Sequence, residues 1–391
     1  MKAINKIFET NNKYIKCKMK KASCEFTCFD KEFGAKQVLD VIAFVNGVHL
    51  KYKGVNLPVY FNFNTVNIID KLSYIILECI CYSLISDYHQ AVAISWKPRK
   101  NIQTQGVFSS PLAILNTNIA KTSQKYLDKF KFEIYKFHFR KVVTEDKSDT
   151  NYLGSLQQDI YNFLSTFYIE EDYKDAIVEM IGEIVGNAIE HTQSQCLLDI
   201  DVTTDYVKSI EEIVQNGSYY GINIVILNYS DTLFGDGIKK RIENCELQSN
   251  ERYMKLEEAY KYHKENFSEN YTFEDFCNIA SIQHKISGNK NKGKAGGRGL
   301  TTLIKSLQDK SDNDNCYMLS GKRIIVFEKD SLEYDDNEWL GFNNEKNFFS
   351  KIPSPLVINE CIVDFPGTAY NLNFIMKRED GHNNEEYRTK V

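Results

Sequence analysis

The sequence is short of proline and lacks the long apolar runs of a membrane protein. Six prolines occur in 391 residues, and none lies between Pro111 and Pro353, so helices and strands can run through that region uninterrupted. The longest apolar run covers residues 74–85, contains Glu78 and falls short of the about 20 residues that a bilayer requires. These absences exclude a membrane span. Because no apolar stretch follows the first charged residues, we also expect no secretory signal.

An excess of basic residues is missing too. The chain has 48 Lys and Arg against 53 Asp and Glu, a net charge of −5, which argues against a protein that coats nucleic acid through a global basic field. Its ten cysteines show no zinc-ligand spacing, so we expect reduced thiols in a cytoplasmic protein. With 42% hydrophobic and 26% charged residues, the composition is typical of a soluble globular protein with two or three domains.

A polar stretch at residues 144–151 separates two patterned regions and is the best candidate for a domain boundary. Before it, residues 1–143 predict a smaller α/β domain. Alternation or apolar runs indicate strands at 59–66, 91–96 and 133–143, with helices at 67–87 and 111–130. This order of elements is similar to that of STAS-like domains, which are small strand-and-helix modules that pair with regulatory kinases in bacteria.

After the boundary, residues 152–380 predict a second α/β domain. A helix begins near Glu170, and strands follow at 195–202 and 221–229. Residues 316–327 predict a hairpin that turns at 320–322, and residues 369–375 predict a last strand. Between them, about 232–296, lies a long region that we interpret as a lid or a partner surface, including a solvated helix at 251–265.

One helix of the second domain carries three polar residues at a spacing of four. Glu183, Asn187 and His191 follow one another along a single helical face with a drift of about 40° per step. A carboxylate, a carboxamide and an imidazole in one cleft suit a site for a metal ion and a nucleotide, because the amide oxygen can bind Mg²⁺ and the carboxylate can activate water. Taken alone, the same spacing is also that of a solvated helix face.

A glycine-rich segment, residues 292–300, precedes a predicted helix at 301–307. It holds four glycines and three cations, and backbone N–H groups at such a helix start bind phosphate well. Taken alone, the segment also suits a flexible hinge. The basic cluster around it suits nucleic acid as well, although phosphate neutralisation explains it more economically. That cluster consists of Lys285, Lys290, Lys292, Lys294 and Arg298.

These segments together resemble the GHKL superfamily of ATPases, the Bergerat-fold group. Residues 183–191 match its N-box, residues 297–300 match its second glycine box, and Gly367-Thr368 with the strand after it match its closing motif. The three motifs occur in the family's order over roughly residues 150–378. The resemblance implies an α/β sandwich, a mixed sheet backed by helices, with ATP and Mg²⁺ between the N-box helix and a mobile lid.

The resemblance also implies roles for individual residues. Asn187 would bind Mg²⁺, Glu183 would be the general base on the attacking water, and Thr368 would hold the adenine end. The glycine-rich loop would lie against the phosphates. Further ATP-binding residues implied in this way are His191, Lys292, Lys294, Gly296, Gly297, Arg298, Gly299 and Leu300.

The chain departs from the family at the first glycine box. Asn228 stands where the family has an aspartate that accepts from adenine, and Ser230 and Thr232 stand in place of the two glycines. An asparagine oxygen can also accept from an amino group. Asp231 could take that role after a local shift, so Asn228 and Asp231 both remain candidates.

Three functions are consistent with these motifs. The leading interpretation is an ATP- and Mg²⁺-binding, ATP-hydrolysing switch, in which nucleotide orders the lid and changes contacts with the first domain, a second copy or a co-encoded partner. By analogy, such a switch would suit bacterial signalling, stress response or antiphage defence. The alternatives are a serine/threonine protein kinase of the anti-sigma type and a non-catalytic interaction scaffold.

Overall fold

The computed structural model is an α/β protein with one sheet that contains parallel strands and one that is antiparallel. It describes residues 2–20, 22–98, 110–115, 122–144, 151–206, 219–286, 299–310 and 316–377. No helix within these ranges is both long and apolar enough to cross a membrane. All ten cysteines are free thiols, and nine of them are buried.

The first half builds a sheet with the strand order β1-β2-β4-β5. The short strand β3 pairs with the last residues of β4, on the same edge of β4 as β2. β2, β4 and β5 run parallel, joined by the crossover helices α2 and α3, as parallel neighbours require. The elements of this half are α1 (Lys6–Thr10), β1 (Met19–Lys20), β2 (Ser23–Thr27), β3 (Glu32–Phe33), α2 (Ala35–Lys51), β4 (Val59–Ile68), α3 (Lys71–Ser86), β5 (Val92–Pro98), α4 (Leu112–Leu115) and α5 (Ser123–Lys131). The similarity to STAS-like domains stays a prediction.

The second half is built on a six-stranded sheet with the order β10-β11-β9-β8-β7-β6. Its strands are β6 (Phe132–Tyr135), β7 (His138–Val143), β8 (Cys196–Tyr206), β9 (Tyr219–Tyr229), β10 (Tyr317–Val326) and β11 (Ile358–Lys377). Every pairing is antiparallel, so the mixed sheet predicted for this half is wrong. β6 and β7 also belong to this sheet, because β7 pairs with β8. The domain boundary predicted after residue 143 stays a prediction; β6 and β7 lie before it, and β8 lies after it.

Helices cover one face of this sheet. They are α6 (Tyr152–Leu164), α7 (Glu171–Thr192), α8 (Asp236–Glu243), α9 (Glu251–Glu265), α10 (Phe273–Ile282) and α11 (Gly299–Lys310). α7 packs against both α6 and α11. Its two glycines allow α6 to approach closely: a Cβ at Gly182 would overlap the Gln157 side chain, and one at Gly186 would lie 3.1 Å from Leu153 Cδ1.

The first half covers the other face of the same sheet. Alternate residues of β8, β9, β10 and β11 share a core with α1, α2 and α3. α3 is apolar on all sides, with every residue from Lys71 to Ile85 buried. The longest apolar run of the sequence thus belongs to a helix enclosed within the protein. Burial on all sides accounts for the hydrophobicity of this helix.

Most of the predicted lid is a packed layer. α9, expected to be solvated, buries Tyr253, Leu256, Ala259 and His263 along one face. His263 lies 2.7 Å from the Phe348 carbonyl oxygen and 2.6 Å from the Tyr271 hydroxyl. Residues 287–296, the end of the predicted lid, lie outside the described ranges.

A buried ion pair attaches this layer to the sheet. Arg323 of β10 donates two hydrogen bonds, of 2.6 and 2.7 Å, to the Asp275 carboxylate of α10. Neither residue is exposed, so separating them would leave a charge unpaired in the interior. Residues 232–286 therefore include elements packed on the sheet, and their interpretation as a lid or a partner surface stays a prediction.

Two turns were also predicted wrongly. Residues 317–326 form one strand instead of a hairpin, because Gly321, with φ of +58°, makes a register shift in the pairing with β11. Conversely, residues 132–143 form a hairpin with Lys136 at φ of +45° at its turn, whereas alternation predicted a single strand.

A buried cluster of charges joins the two halves. Lys71 of α3 lies 2.7 Å from Asp199 Oδ1 and 2.6 Å from Asp201 Oδ2, both on β8. Arg140 of β7 donates to Asp199 Oδ2 at 2.6 Å and also to the Glu78 carboxylate of α3. Lys71 is 3% exposed and Asp199 0%, so these charges depend on one another for compensation.

Two further charges of the cluster come from β6 and β7. His138 Nε2 lies 2.8 Å from Asp199 Oδ2, and its Nδ1 lies 3.3 Å from Glu133 Oε2. Burial alone would lower the pKa of His138, but these two carboxylates outweigh it and raise the pKa. Burial alone would raise the pKa of Asp199, but Arg140, Lys71 and His138 hold it well below its usual range.

Removing the Lys71 cation should destabilise the protein strongly. We expect Lys71→Met to lower the free energy of unfolding by about 3–5 kcal/mol, because it leaves two buried carboxylates short of a partner. Urea denaturation measures this change. The matched control is Lys351→Met, which removes an exposed lysine 3.6 Å from Glu345 and should change it by less than about 1 kcal/mol. Equal effects of the two variants would contradict a structural role for the cluster.

The raised pKa of His138 predicts a stability loss on the alkaline side. The stabilisation is fully present below the unfolded-state pKa of about 6.5 and is lost as pH rises through the higher folded pKa. In denaturation at a series of pH values, His138→Gln should flatten this decline. His263→Gln is the control. Because burial lowers the pKa of His263, that residue affects stability only as pH falls below about 6.5. An unchanged alkaline slope in His138→Gln would refute the assignment.

Candidate functional site

The predicted polar face lies on the second half of α7. The helix begins with Glu171 and Asp172, which complement its dipole, and ends at Gln193 in a left-handed conformation. Glu183 is exposed and Asn187 is half-buried one turn later. His191 belongs to the last turn, but its side chain is outside what the structure describes. The helix therefore presents the carboxylate and the amide in the predicted order.

Asn228 and Thr368 lie side by side at the end of this helix. They are direct partners on neighbouring strands β9 and β11, where paired Cβ atoms lie roughly 4.5–5.5 Å apart. Both point to the helix-covered face, as the burial of Ile226 and Tyr370 in the core on that face indicates. Residues 140 positions apart in sequence thus meet beside the end of α7.

Gly367 permits this pairing. Its φ of +121° is accessible to glycine but rarely to other residues. A Cβ there would overlap the Asn228 carbonyl oxygen and lie 3.0 Å from the Ser230 nitrogen. The Gly-Thr motif therefore has a local structural reason: glycine lets β11 approach β9 at the residue before Thr368.

The loop after Asn228 is closed without the family's glycines. The Ser230 hydroxyl donates to the Thr232 carbonyl oxygen at 2.7 Å. The Phe234 N–H donates to the Ser320 hydroxyl at 3.0 Å, and that hydroxyl donates to the Gly367 carbonyl oxygen at 2.9 Å. These side-chain bonds fix a turn that glycine would otherwise have to make, so the departure in sequence leaves the strand end ordered.

Asp231 does not join this group. Its side chain is 86% exposed and forms an ion pair with Lys6 of α1. Of the two candidates for contact with the base, Asn228 is the one beside α7 and Thr368. The two residues also differ in burial. Asn228 is 1% exposed and lies inside the protein, whereas a ligand could contact Asp231 only at the protein surface.

The glycine-rich loop lies largely outside the described ranges. Lys292, Lys294, Gly296, Gly297 and Arg298 are among the residues left undescribed, so their predicted roles remain predictions. Gly299 begins α11, which packs on α7. The side chain of Leu300 packs against the core on the helix-covered face, so any contact with phosphate would come from its backbone.

The described side chains suit a magnesium nucleotide better than a metal alone. Within the described ranges no group of three or more His, Cys, Asp or Glu side chains could hold a metal ion. Mg²⁺ in nucleotide sites takes one or two protein oxygens and completes its shell with phosphate and water. One amide on α7, with a carboxylate one turn away, is consistent with that chemistry.

Three side chains at this site were missed by the sequence analysis. Thr192, Ser194 and Ser320 hydrogen-bond to Asn228 or to the Gly367 carbonyl oxygen. Short hydroxyl side chains commonly bond to nearby backbone at helix ends and in turns, so no signal in the sequence separates these three from ordinary turn residues. His138, which the sequence analysis did not single out, lies in the buried charge cluster.

Comparisons with known proteins found no match to this chain among protein-family models, curated proteins or solved structures.

Replacing Gly367 by alanine should disrupt this end of the sheet. We expect Gly367→Ala to lower the free energy of unfolding by more than about 3 kcal/mol, because it adds steric overlap to an unfavourable φ. Gly54→Ala is the control: φ is +78°, no atom lies within 4 Å of the added Cβ, and a cost of about 1 kcal/mol is expected. Chemical denaturation compares them, and equal costs would argue against close packing at Gly367.

Proposed function

We propose that this protein is an ATP- and Mg²⁺-binding, ATP-hydrolysing switch of the GHKL type, with a Bergerat-like second half. The observation that carries the proposal is the meeting of the α7 end with the paired residues Asn228 and Thr368. Three segments of the chain, those that hold Thr192, Asn228 and Thr368, thereby contribute to one region, although the first and the last lie 176 residues apart. A scaffold that served only protein contacts would have no physical need for this arrangement beside Glu183 and Asn187.

The proposed roles follow from side-chain chemistry. Asn187 would bind Mg²⁺ through its amide oxygen, and the ion would neutralise charge on the phosphates. Glu183, exposed on the same helix, would take a proton from a water molecule as that water attacks the γ-phosphorus and the bond to the ADP oxygen breaks.

Contacts of the N-terminal segment support a switch. The Asn11 amide donates to the Asp364 carbonyl oxygen at 2.8 Å, and the Asp364 N–H donates to Asn11 Oδ1 at 2.9 Å. Lys6 pairs with Asp231. These bonds reach the loop after Asn228 and the part of β11 before Thr368, so a ligand that moved these segments would act directly on the first half. This route would couple the site to contacts with a second copy or another partner.

Calorimetry with ATP and Mg²⁺, combined with phosphate release in the same samples, tests this function. We expect wild type to bind and hydrolyse ATP. Glu183→Ala should keep binding and lose hydrolysis by about 10²–10⁴-fold, the contribution of a general base. Glu179→Ala, which removes an exposed carboxylate one turn further from Asn187, is the matched control and should hydrolyse normally.

Further measurements in the same experiment distinguish the switch from the kinase and from the interaction scaffold. Asn187→Ala should weaken binding only when Mg²⁺ is present. Binding without phosphate release, with labelled γ-phosphate appearing on the protein or on a co-encoded partner, would replace the switch with the kinase. No binding by wild type would overturn the proposal and favour the interaction scaffold. Equal hydrolysis by wild type and Glu183→Ala would remove Glu183 from its role.

A further inference from the structure

The side-chain amide of Asn228 is held by two hydroxyl groups. Its Nδ2 donates to Thr192 Oγ1 at 2.9 Å and to Ser194 Oγ at 3.2 Å. Both hydroxyls belong to the turn that ends α7, and they lie 2.6 Å from each other. An asparagine amide has two N–H groups, so these two bonds use all of its donors.

The direction of these bonds follows from a count of hydrogens. Thr192 Oγ1 donates its one hydrogen to the Ala188 carbonyl oxygen at 2.6 Å, so it can only accept from its other neighbours. Across the 2.6 Å contact the Ser194 hydroxyl must then donate to Thr192 Oγ1, which also receives the Ser194 backbone N–H at 3.2 Å. The Ser194 hydroxyl, too, can only accept from Asn228. Two acceptors therefore face the Asn228 amide, which must present its NH₂ group to them. The orientation of an asparagine amide, often ambiguous, is determined here by the network.

The carbonyl oxygen Oδ1 of Asn228 points away from these hydroxyls. Within the described ranges no hydrogen bond uses Oδ1 of Asn228 or the hydroxyl of its strand partner Thr368. Asn228 therefore has one remaining function at this site, which is to accept a hydrogen bond. Rotating its amide would bring Oδ1 against two oxygens that cannot donate to it.

We propose that Thr192 and Ser194 are positioning residues that hold Asn228 as an acceptor, so that the site selects a purine with an amino group over one with a carbonyl oxygen at that position. This inference rests on the proposed nucleotide site. A carbonyl oxygen facing Oδ1 would bring two acceptors together without a hydrogen between them. A mismatch of this kind disfavours the wrong ligand by on the order of tenfold to hundredfold.

The test compares ATP with inosine triphosphate, which carries a carbonyl oxygen where ATP carries its amino group. Dissociation constants for both, with Mg²⁺, are measured by calorimetry on the full chain. Wild type should favour ATP by on the order of tenfold to hundredfold. In Thr192→Val combined with Ser194→Ala, the amide can rotate to offer either group, and the ratio should fall towards one.

Two controls separate orientation from general damage. Asn228→Asp in the same double variant should restore the preference for ATP, because a carboxylate accepts in either orientation. Thr166→Val removes a hydroxyl that donates to a backbone carbonyl oxygen at the end of α6, at 2.7 Å, and should leave the ratio unchanged. A loss of stability alone would weaken both ligands together, and the ratio would not move.

The outcomes distinguish this inference from the function on which it rests. If wild type binds neither nucleotide, the proposed function fails and the inference fails with it. If wild type binds both equally, nucleotide binding stands and the selecting role of Asn228 is overturned. If wild type prefers ATP and the double variant keeps that preference, Thr192 and Ser194 do not position Asn228.

Discussion

The buried charge cluster between α3 and the strands β7 and β8 is the interaction on which the rest of the structure depends. An apolar helix between two apolar sheets could shift by a turn at little cost in burial. Lys71 and Glu78 prevent this, because they lie two turns apart and each needs its own partners across the interface. Since only one position of α3 satisfies both, the charges determine how the first half is seated on the second.

That seating has consequences for the candidate site. The six-stranded sheet is covered on one face by α7 and on the other by the first half, and the row from Cys196 through Asn228 and Thr368 to Ser320 crosses it near one end. The N-terminal segment contacts β11 beside that row through Asn11, and it contacts the loop after β9 through Lys6. Displacing the first half would therefore disturb the strand ends that hold Asn228, although no residue of that half belongs to the polar face of α7.

The sequence predicted those parts of the molecule that depend on local pattern. The α7 helix could be predicted because its apolar residues recur at helical spacing, and β4 and β9 because they are apolar or alternate between turn signals. The place of β6 and β7 in the second sheet could not be predicted. β7 pairs with β8, which lies some 60 residues further on, and alternation does not identify a partner. α9 was misjudged because its buried face consists of Tyr253, Leu256, Ala259 and His263, only one of which is strongly apolar. At the site, the sequence was sufficient to identify Glu183, Asn187 and Asn228 as candidate residues. The hydroxyls of Thr192 and Ser194 could not be identified in this way, because their role exists only once the turn and strand meet.

The enclosure of α3 also constrains the order in which the protein is made. The helix leaves the ribosome early, with a lysine and a glutamate that have no complete set of partners until β7 and β8 follow. The sheet that covers it is completed only with β11, nearly 300 residues after α3. The two halves are therefore not modules that fold in succession, as separate domains in one chain generally do. Contacts this distant in sequence are typical of slow folding, and an unfinished chain would expose one of the most apolar helices of the protein.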